Sequence, residues 1–258
     1  MSVDNNPFRP PVARVYDHAQ TSMGTFIPDG RRVPPGNGYR WLLRGWEIFR
    51  LAPGTWMGIA VVFMAVMMIV GMIPVVNVAV NLLIPIFIGG ISIGCRAIEV
   101  GDGLRFDHLF AGFSRKPIPL LVVGLLYMIS MAAVVFAAVV GAGIAFAAFA
   151  GGVDGLKEVF SLGMVLVVAV VFVAFSSLAM AVWLAPPLVI FHDVSAFHAI
   201  KNSLRVAVRN IGPFLVYTLL VVLAAVVASL PLLLGWLVLL PVLYASLYAA
   251  YRDMFFEE

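Results

Sequence analysis

The sequence predicts an all-α polytopic membrane protein. We expect six transmembrane helices in three repeated hairpins, each hairpin preceded by an amphipathic helix at the cytoplasmic interface. Three observations support this fold class. Of the 258 residues, 63% are hydrophobic and only 11% are charged, whereas about 25% of a typical soluble domain is charged. Four long stretches contain neither a charged residue nor a histidine. Basic residues cluster in alternate gaps between the predicted helices.

The lengths of the uncharged stretches set the number of spans. A helix of about 20 apolar residues crosses a bilayer. Residues 51–95 and 210–251 are therefore long enough for two spans each, and residues 117–153 and 159–191 for one each. The transmembrane domain is predicted at 38–258, with spans near residues 55–76, 78–97, 118–142, 161–187, 212–230 and 232–251.

The distribution of basic residues predicts the orientation. With six spans both termini lie on the same side, and every Lys and Arg except Lys157 falls on that side. Loops rich in Lys and Arg remain in the cytoplasm. The sequence therefore predicts cytoplasmic N and C termini.

Residues 1–37 are predicted to form a disordered cytoplasmic tail. This segment contains several prolines and arginines and has no apolar run, a composition that cannot bury enough surface to fold. Two roles remain open. The tail could dock a partner, or it could be a solvated segment whose arginines enforce topology and contact anionic lipid.

An amphipathic segment precedes each odd-numbered span. On a helical wheel of residues 40–50, the arginines and Glu47 share one arc, opposite an aromatic and aliphatic arc that includes Trp41 and Trp46. Such a helix is predicted to lie in the membrane interface. Similar segments begin near Leu104 and Ser195. The prolines that follow the three segments are Pro53, Pro117 and Pro213.

The even-numbered spans also share a pattern. Pro85 stands eleven residues before Arg96, and Pro241 stands eleven before Arg252. The middle unit departs from this spacing, because Pro186 lies closer to the end of its span. These repeats suggest a duplicated unit of interfacial helix and two spans, packed around a pseudo-threefold axis.

Few residues carry chemistry. No charged residue or histidine lies in the core of a predicted span, which argues against an ion-coupled pump. No phosphate-binding loop or nucleophile elbow is present. The sequence therefore predicts no catalytic residue, cofactor or metal. Imidazoles and carboxylates can ligate metals or transfer protons, and the weak candidates on the predicted cytoplasmic side are Asp107, His108, His192, Asp193 and His198.

Three functions remain open from the residues alone. The favoured one is a non-enzymatic membrane scaffold or accessory subunit. The alternatives are a transporter or channel for a lipid or apolar molecule, and an enzyme at the inner leaflet. The expected partners are the lipid bilayer, anionic headgroups at its cytoplasmic face, and either a protein partner or a second copy of the chain. Nucleic acid is not expected.

Three segments resemble a family of uncharacterised proteobacterial six-pass inner-membrane proteins: "GYRWLLRGWEIFRLAPGTW", "IPVVNVAVNLLIPIFIGGISIGCRAIEVGD" and "HLFAGF". The resemblance covers residues 38 to about 255 and implies the bacterial inner (plasma) membrane, with no assigned activity. "LAPPLVIFHDVSAFHAIKNSLRVAVRNIGPFL" more distantly resembles the YciC-like group and the membrane domain of some glycerophosphodiester phosphodiesterases. This chain has no soluble phosphodiesterase domain, so no catalytic residue carries over.

Overall fold

The computed structural model describes residues 24–72, 74–150, 156–231 and 234–257, and nearly all of these residues are helical. The first half contains β1 (Thr25–Phe26), α1 (Asn37–Leu51), α2 (Pro53–Gly71), α3 (Pro74–Glu99), a 3-10 helix (Phe106–Phe110) and α4 (Ala111–Arg115). The second half contains α5 (Pro117–Ala150), α6 (Leu156–Trp183), α7 (Ala185–His192), α8 (Ala196–Arg209), α9 (Ile211–Ser229), α10 (Trp236–Phe255) and β2 (Phe256–Glu257).

Prolines mark several helix boundaries. Ala52 leaves the helical backbone region, and Pro53 then begins α2. Pro117 begins α5, and Pro186 lies in the first turn of α7. Proline suits these positions because the first helical residues have no intrahelical partner for a backbone N–H. Pro85 and Pro241 lie inside α3 and α10.

Four helices in the described ranges are long and apolar enough to cross a bilayer: Pro53–Gly71, Leu82–Glu99, Pro117–Ile144 and Ile211–Ser229. The chain thus fits an all-α membrane protein. The predicted spans 161–187 and 232–251 fall on α6 with α7 and on α10, which are not among these four. The six-span count and the repeated hairpins therefore stay predictions. Helix α2 ends at Gly71 and α3 begins at Pro74, at the start of the segment "MIPVVN" where the sequence predicts a break around Pro74 and Asn77.

The core lies at one end of the helices. In the apolar segment of α3 that is long enough to cross a membrane, 67% is buried. The corresponding segments of α2, α5 and α9 are only 17%, 17% and 22% buried. The largest fully buried side chains include Trp41, Trp56, Phe214, Tyr248, Tyr251 and Phe255. Most of the last half of α10 is buried. We call this packed region the basic end, because the arginines of α1, α3 and α8 also lie there.

Helix α1 differs from the prediction for its aromatic arc. Trp41 is only 1% exposed and packs against Phe214 and Tyr217, whereas Trp46 is 43% exposed and stacks on Phe49. Part of the apolar arc of α1 is therefore covered by the protein core, and part of it is exposed on the surface. Hydrophobic periodicity identifies an apolar face without showing what covers it.

Residues 24–37, which precede the predicted domain boundary at 38, contact the C-terminal part of the chain. Strand β1 pairs antiparallel with β2 at the C-terminal end of the chain. The Arg31 guanidinium donates to the side chain and the backbone carbonyl of Asp253. The side chain of Asn210 accepts from the backbone N–H of Val33 and donates to the carbonyl of Arg31. The rest of the predicted tail, residues 1–23, lies outside the described residues.

Candidate anion-binding site

A cavity of about 760 Å³ opens at the basic end, between α3, the 3-10 helix, the α4–α5 junction and α7. We call it the basic cavity. Its walls include Ile190 and Phe191 from α7. The polar residues that line it are Arg96, Asp102, Arg105, His108, Arg115 and Lys116. The four cations come from three separate stretches of the chain, so their convergence is a product of folding.

Glycines on α3 allow the 3-10 helix to form one wall of this cavity. A Cβ on Gly90 would lie 2.5 Å from the backbone oxygen of His108, and a Cβ on Gly94 would lie 2.6 Å from the Leu104 side chain. Any larger residue would push the 3-10 helix away from α3. The segment "IGGISIG" therefore sets the distance between Arg96 and the loop that carries Arg105.

Two of the four cations are neutralised and two are not. Arg105 pairs with Asp107, and Lys116 pairs with Asp193 while also donating to the Val189 carbonyl. Arg96 lies over the Phe191 ring, 5.3 Å from its centroid. Within the described ranges, neither Arg96 nor Arg115 has a carboxylate partner within ion-pair distance. The cavity thus keeps a net positive charge.

His108 is held in a neutral form on the cavity wall. Its Nδ1 accepts a hydrogen bond from the backbone N–H of Arg105, at 3.1 Å. Burial lowers the pKa of His108, although the neighbouring Asp107 opposes this shift. The Arg105 guanidinium lowers the pKa of Asp107 by hydrogen bonding to it. A neutral imidazole adds no charge to the site and can donate one hydrogen bond from Nε2.

A second cavity of about 360 Å³ adjoins the first, and Arg96 and Phe191 line both. We call it the aromatic cavity. Its other lining residues are Gly24, Phe26, His192, Tyr248, Tyr251 and Phe256. The His192 ring stacks on Phe26 at 3.4 Å between centroids, and its Nε2 lies 2.5 Å from the Tyr251 hydroxyl. Burial, with the charges of Arg96 and Lys116, lowers the pKa of His192 to about 4.

The structure does not gather the five weak candidates into one site. Asp107 and His108 lie beside the basic cavity, and Asp193 meets it through Lys116. His192 faces the aromatic cavity, whereas His198 bonds to Ser195 at the start of α8. In the part of the chain that the structure describes, no group of three or more His, Cys, Asp or Glu side chains could hold a metal ion.

Two half-buried carboxylates connect the surrounding helices. Glu99 accepts from the Tyr248 hydroxyl at 2.8 Å and from Arg252 at 2.9 Å. The repeat pattern predicts that Arg96 and Arg252 are equivalent. However, Arg252 donates to Glu99, whereas Arg96 lies over the Phe191 ring. Asp253 accepts from Asn37 and Trp41, each at 2.7 Å, in addition to Arg31. These bonds fix the ends of α3 and α10 against α1.

Sequence reasoning treated Arg96, Arg115 and Lys116 as signals of topology or of the repeat, and so missed their convergence. The sequence did contain a signal for this convergence: a glycine-rich helix end occurs together with two basic clusters at neighbouring predicted helix ends.

Comparison with known proteins gives one clear relative. A probable inner membrane protein of Burkholderia thailandensis is 32% identical over 255 residues, covering 86% of this chain and 92% of that protein. No protein-family model matches the chain. No solved structure matches it. The more distant resemblance to the YciC-like group therefore stays a prediction.

Proposed function

The chain belongs to the family of the Burkholderia thailandensis inner membrane protein, and we propose that its basic cavity binds the phosphate-bearing headgroup of an anionic lipid. In this proposal the protein is a six-span, non-enzymatic component of the bacterial inner membrane. Its basic end faces the cytoplasm. The convergence of four cations on a cavity of about 760 Å³ supports the proposal most strongly.

The chemistry of the lining suits a phosphate group. A guanidinium presents a planar set of donors that matches phosphate oxygens, often through two parallel hydrogen bonds. Arg96 and Arg115 keep such donors available because neither is paired with a carboxylate in the described ranges. Lys116 lines the same cavity, where its ammonium is paired with Asp193. The volume falls in the range of about 300–1,000 Å³ that is common for ligand sites.

The position along the chain supports the lipid as the source of that phosphate. Arg96 ends a helix that is long enough to cross a bilayer, and Lys116 directly precedes another. Both residues therefore lie at headgroup depth if these helices span. Anionic lipids give the cytoplasmic leaflet a negative surface potential that attracts such clusters. The order of amphipathic segment, helix and helix occurs three times along the chain, which supports the predicted six spans.

The surroundings of the two histidines favour binding over catalysis. His108 uses Nδ1 for a backbone hydrogen bond, and His192 is stacked and bonded to Tyr251. Asp193 is occupied by Lys116. A general base must reach the proton it removes, and His108 and His192 line different cavities. We therefore favour a lipid-binding scaffold over an inner-leaflet enzyme.

The proposal is tested by measuring lipid affinity in detergent micelles. Short-chain phosphatidylglycerol and phosphatidylcholine are titrated against the purified protein and followed by native mass spectrometry. We expect tighter binding of phosphatidylglycerol, and at least a tenfold loss in Arg96→Gln and Arg115→Gln. Lys201→Gln is the matched control, because Lys201 is exposed on α8 and lies outside the cavity. Equal affinity for the two lipids, or an equal loss in the control, would contradict the proposal.

A further inference from the structure

An apolar groove of about 640 Å³ runs between α1, α9 and α10. We call it the α1 groove. Helix α1 contributes Tyr39, Leu42, Leu43 and Trp46, which are spaced i, i+3, i+4 and i+7 and so share one face of the helix. Almost all the remaining lining is aliphatic, and Ala224 lies among it.

Close contacts define both ends of this groove. At one end a Cβ on Gly235 would lie 2.5 Å from the Cα of Ala228, so α9 and α10 touch there. At the other end α1 crosses both helices. Gly38 fits against the carbonyl of Pro213, and Gly45 fits against the carbonyl of Val242. Between these contacts the two helices leave open space.

The depth of the groove restricts what can occupy it. Helix α9 is long and apolar enough to cross a bilayer, so the groove lies in the hydrocarbon region in a membrane protein of this family. An apolar lining offers water almost no hydrogen-bond partners. A transmembrane helix is about 10 Å across with a rise of about 1.5 Å per residue, so the groove holds less than about two turns of one. An acyl chain is the apolar occupant that fits.

A charge beside the groove complements a phosphate. Arg50 lies one turn beyond the lining residue Trp46 on the same helix. This arginine is exposed. In the described part of the chain it has no carboxylate within ion-pair distance. Arg44 differs, because it pairs with Glu47 and approaches Glu99.

We propose that the α1 groove is a binding site for one membrane phospholipid, with an acyl chain in the groove and the phosphate against Arg50, which follows Tyr39, Leu43 and Trp46 on the same face of α1. The basic cavity is built from α3, the 3-10 helix, α4, α5 and α7, whereas this groove is built from α1, α9 and α10. The two sites share no lining residue, so either can fail without the other.

The test measures phospholipid retained through purification in mild detergent, in a parent protein that carries Arg96→Gln and Arg115→Gln so that the basic cavity holds no lipid. Ala224→Phe fills the groove, and Val226→Phe is the matched control because Val226 lies on the same helix, is 59% exposed and does not line the groove. We expect about one phospholipid per chain in the parent protein and in the control, and at least a fivefold loss when Ala224→Phe is added. Arg50→Gln should lose a comparable share, because it removes the phosphate contact.

Leu43→Gln provides a second groove variant that makes the groove polar without adding bulk. This variant should fold, because Leu43 is already 42% exposed. Thermal unfolding of each variant in detergent shows that it is folded. Undiminished lipid in both Ala224→Phe and Leu43→Gln would overturn the proposal. A dimer mass in the parent protein that both variants abolish, with lipid unchanged, would assign the groove to a second copy and would also overturn it. Loss of lipid in Arg50→Gln alone would place the phospholipid outside the groove.

Discussion

Two tryptophans on α1 have opposite environments. Trp41 is buried, packs against two aromatic rings of α9 and donates its indole N–H to Asp253. Trp46 stacks on Phe49 and faces the α1 groove. One amphipathic helix therefore both closes the protein core and borders the membrane. The basic end is held by packing and hydrogen bonds, while the apolar helices beyond it are mostly exposed to their surroundings.

The largest expected effect comes from removing the buried ring. Trp41→Ala should lower the free energy of unfolding by about 3–5 kcal/mol, because it leaves a cavity and removes one of the hydrogen-bond donors to Asp253. Trp46→Ala should cost less than about 1 kcal/mol, since the ring is 43% exposed. Chemical unfolding of both variants in the same detergent measures the contrast. Equal losses would show that the two faces of α1 do not differ as described.

A second effect concerns the close approach of α1 to α9. A Cβ on Gly38 would lie 2.2 Å from the backbone oxygen of Pro213, so Gly38→Ala should cost about 1–3 kcal/mol through overpacking. Gly54→Ala is the matched control, because nothing lies within 4 Å of a Cβ there. Thermal unfolding should show a lower midpoint for the first variant and no loss for the second. A Gly38→Ala protein as stable as the wild type would mean that α1 packs less closely than described.

The carboxylate beneath Trp41 should matter somewhat less. Asp253→Asn removes the negative charge that Arg31 meets but keeps an oxygen acceptor for the indole, so we expect a loss of about 1 kcal/mol or slightly more. Limited proteolysis provides a second readout, because cleavage near residues 24–36 should become faster. Asp102→Asn is the control, since Asp102 is exposed in a loop and has no ion-pair partner in the described ranges. An unchanged rate of cleavage would show that Asp253 does not hold this segment in place.

The effect that is smallest near neutral pH is the dependence of stability on pH. The pKa of His192 is lowered from 6.5 to about 4 in the folded protein, so the unfolded chain binds more protons between these values. Stability should therefore fall as the pH falls from about 6.5 to 4, and stay level above that window. His192→Gln should flatten the slope, whereas His198→Gln at an exposed site should keep it. An unchanged slope in His192→Gln would assign the pH dependence to another group.

The boundaries of the apolar helices could be predicted from the sequence because charge marks their ends. The predicted span 212–230 nearly coincides with α9, Ile211–Ser229. The turn between α2 and α3 could be placed only to within several residues, because residues 51–95 contain no charge to mark it. The burial of Trp41 could not be predicted, since it depends on Gly38 and Gly45 bringing α1 onto α9 and α10. Helical periodicity carries no information about such a distant partner.

The candidate site was even less accessible to prediction. Basic residues at helix ends are explained by topology alone, so nothing local distinguished Arg115 from any other arginine at a predicted helix end. The cavity exists because α7 carries Phe191 and the Asp193 partner of Lys116 to the end of α3. Those contacts join residues that are far apart in the chain. The five polar candidates were chosen by residue type, and the fold separates them.

Headgroup binding in the basic cavity is tested most directly by photo-crosslinking. Phosphatidylglycerol with a photoreactive headgroup is incorporated into nanodiscs with the wild-type protein, and the crosslinked peptides are mapped by mass spectrometry. We predict that crosslinks concentrate in residues 96–116 and are strongly reduced in Arg115→Gln. Crosslinks spread over the apolar helices, with none in residues 96–116, would contradict the assignment of the basic cavity as a lipid headgroup site.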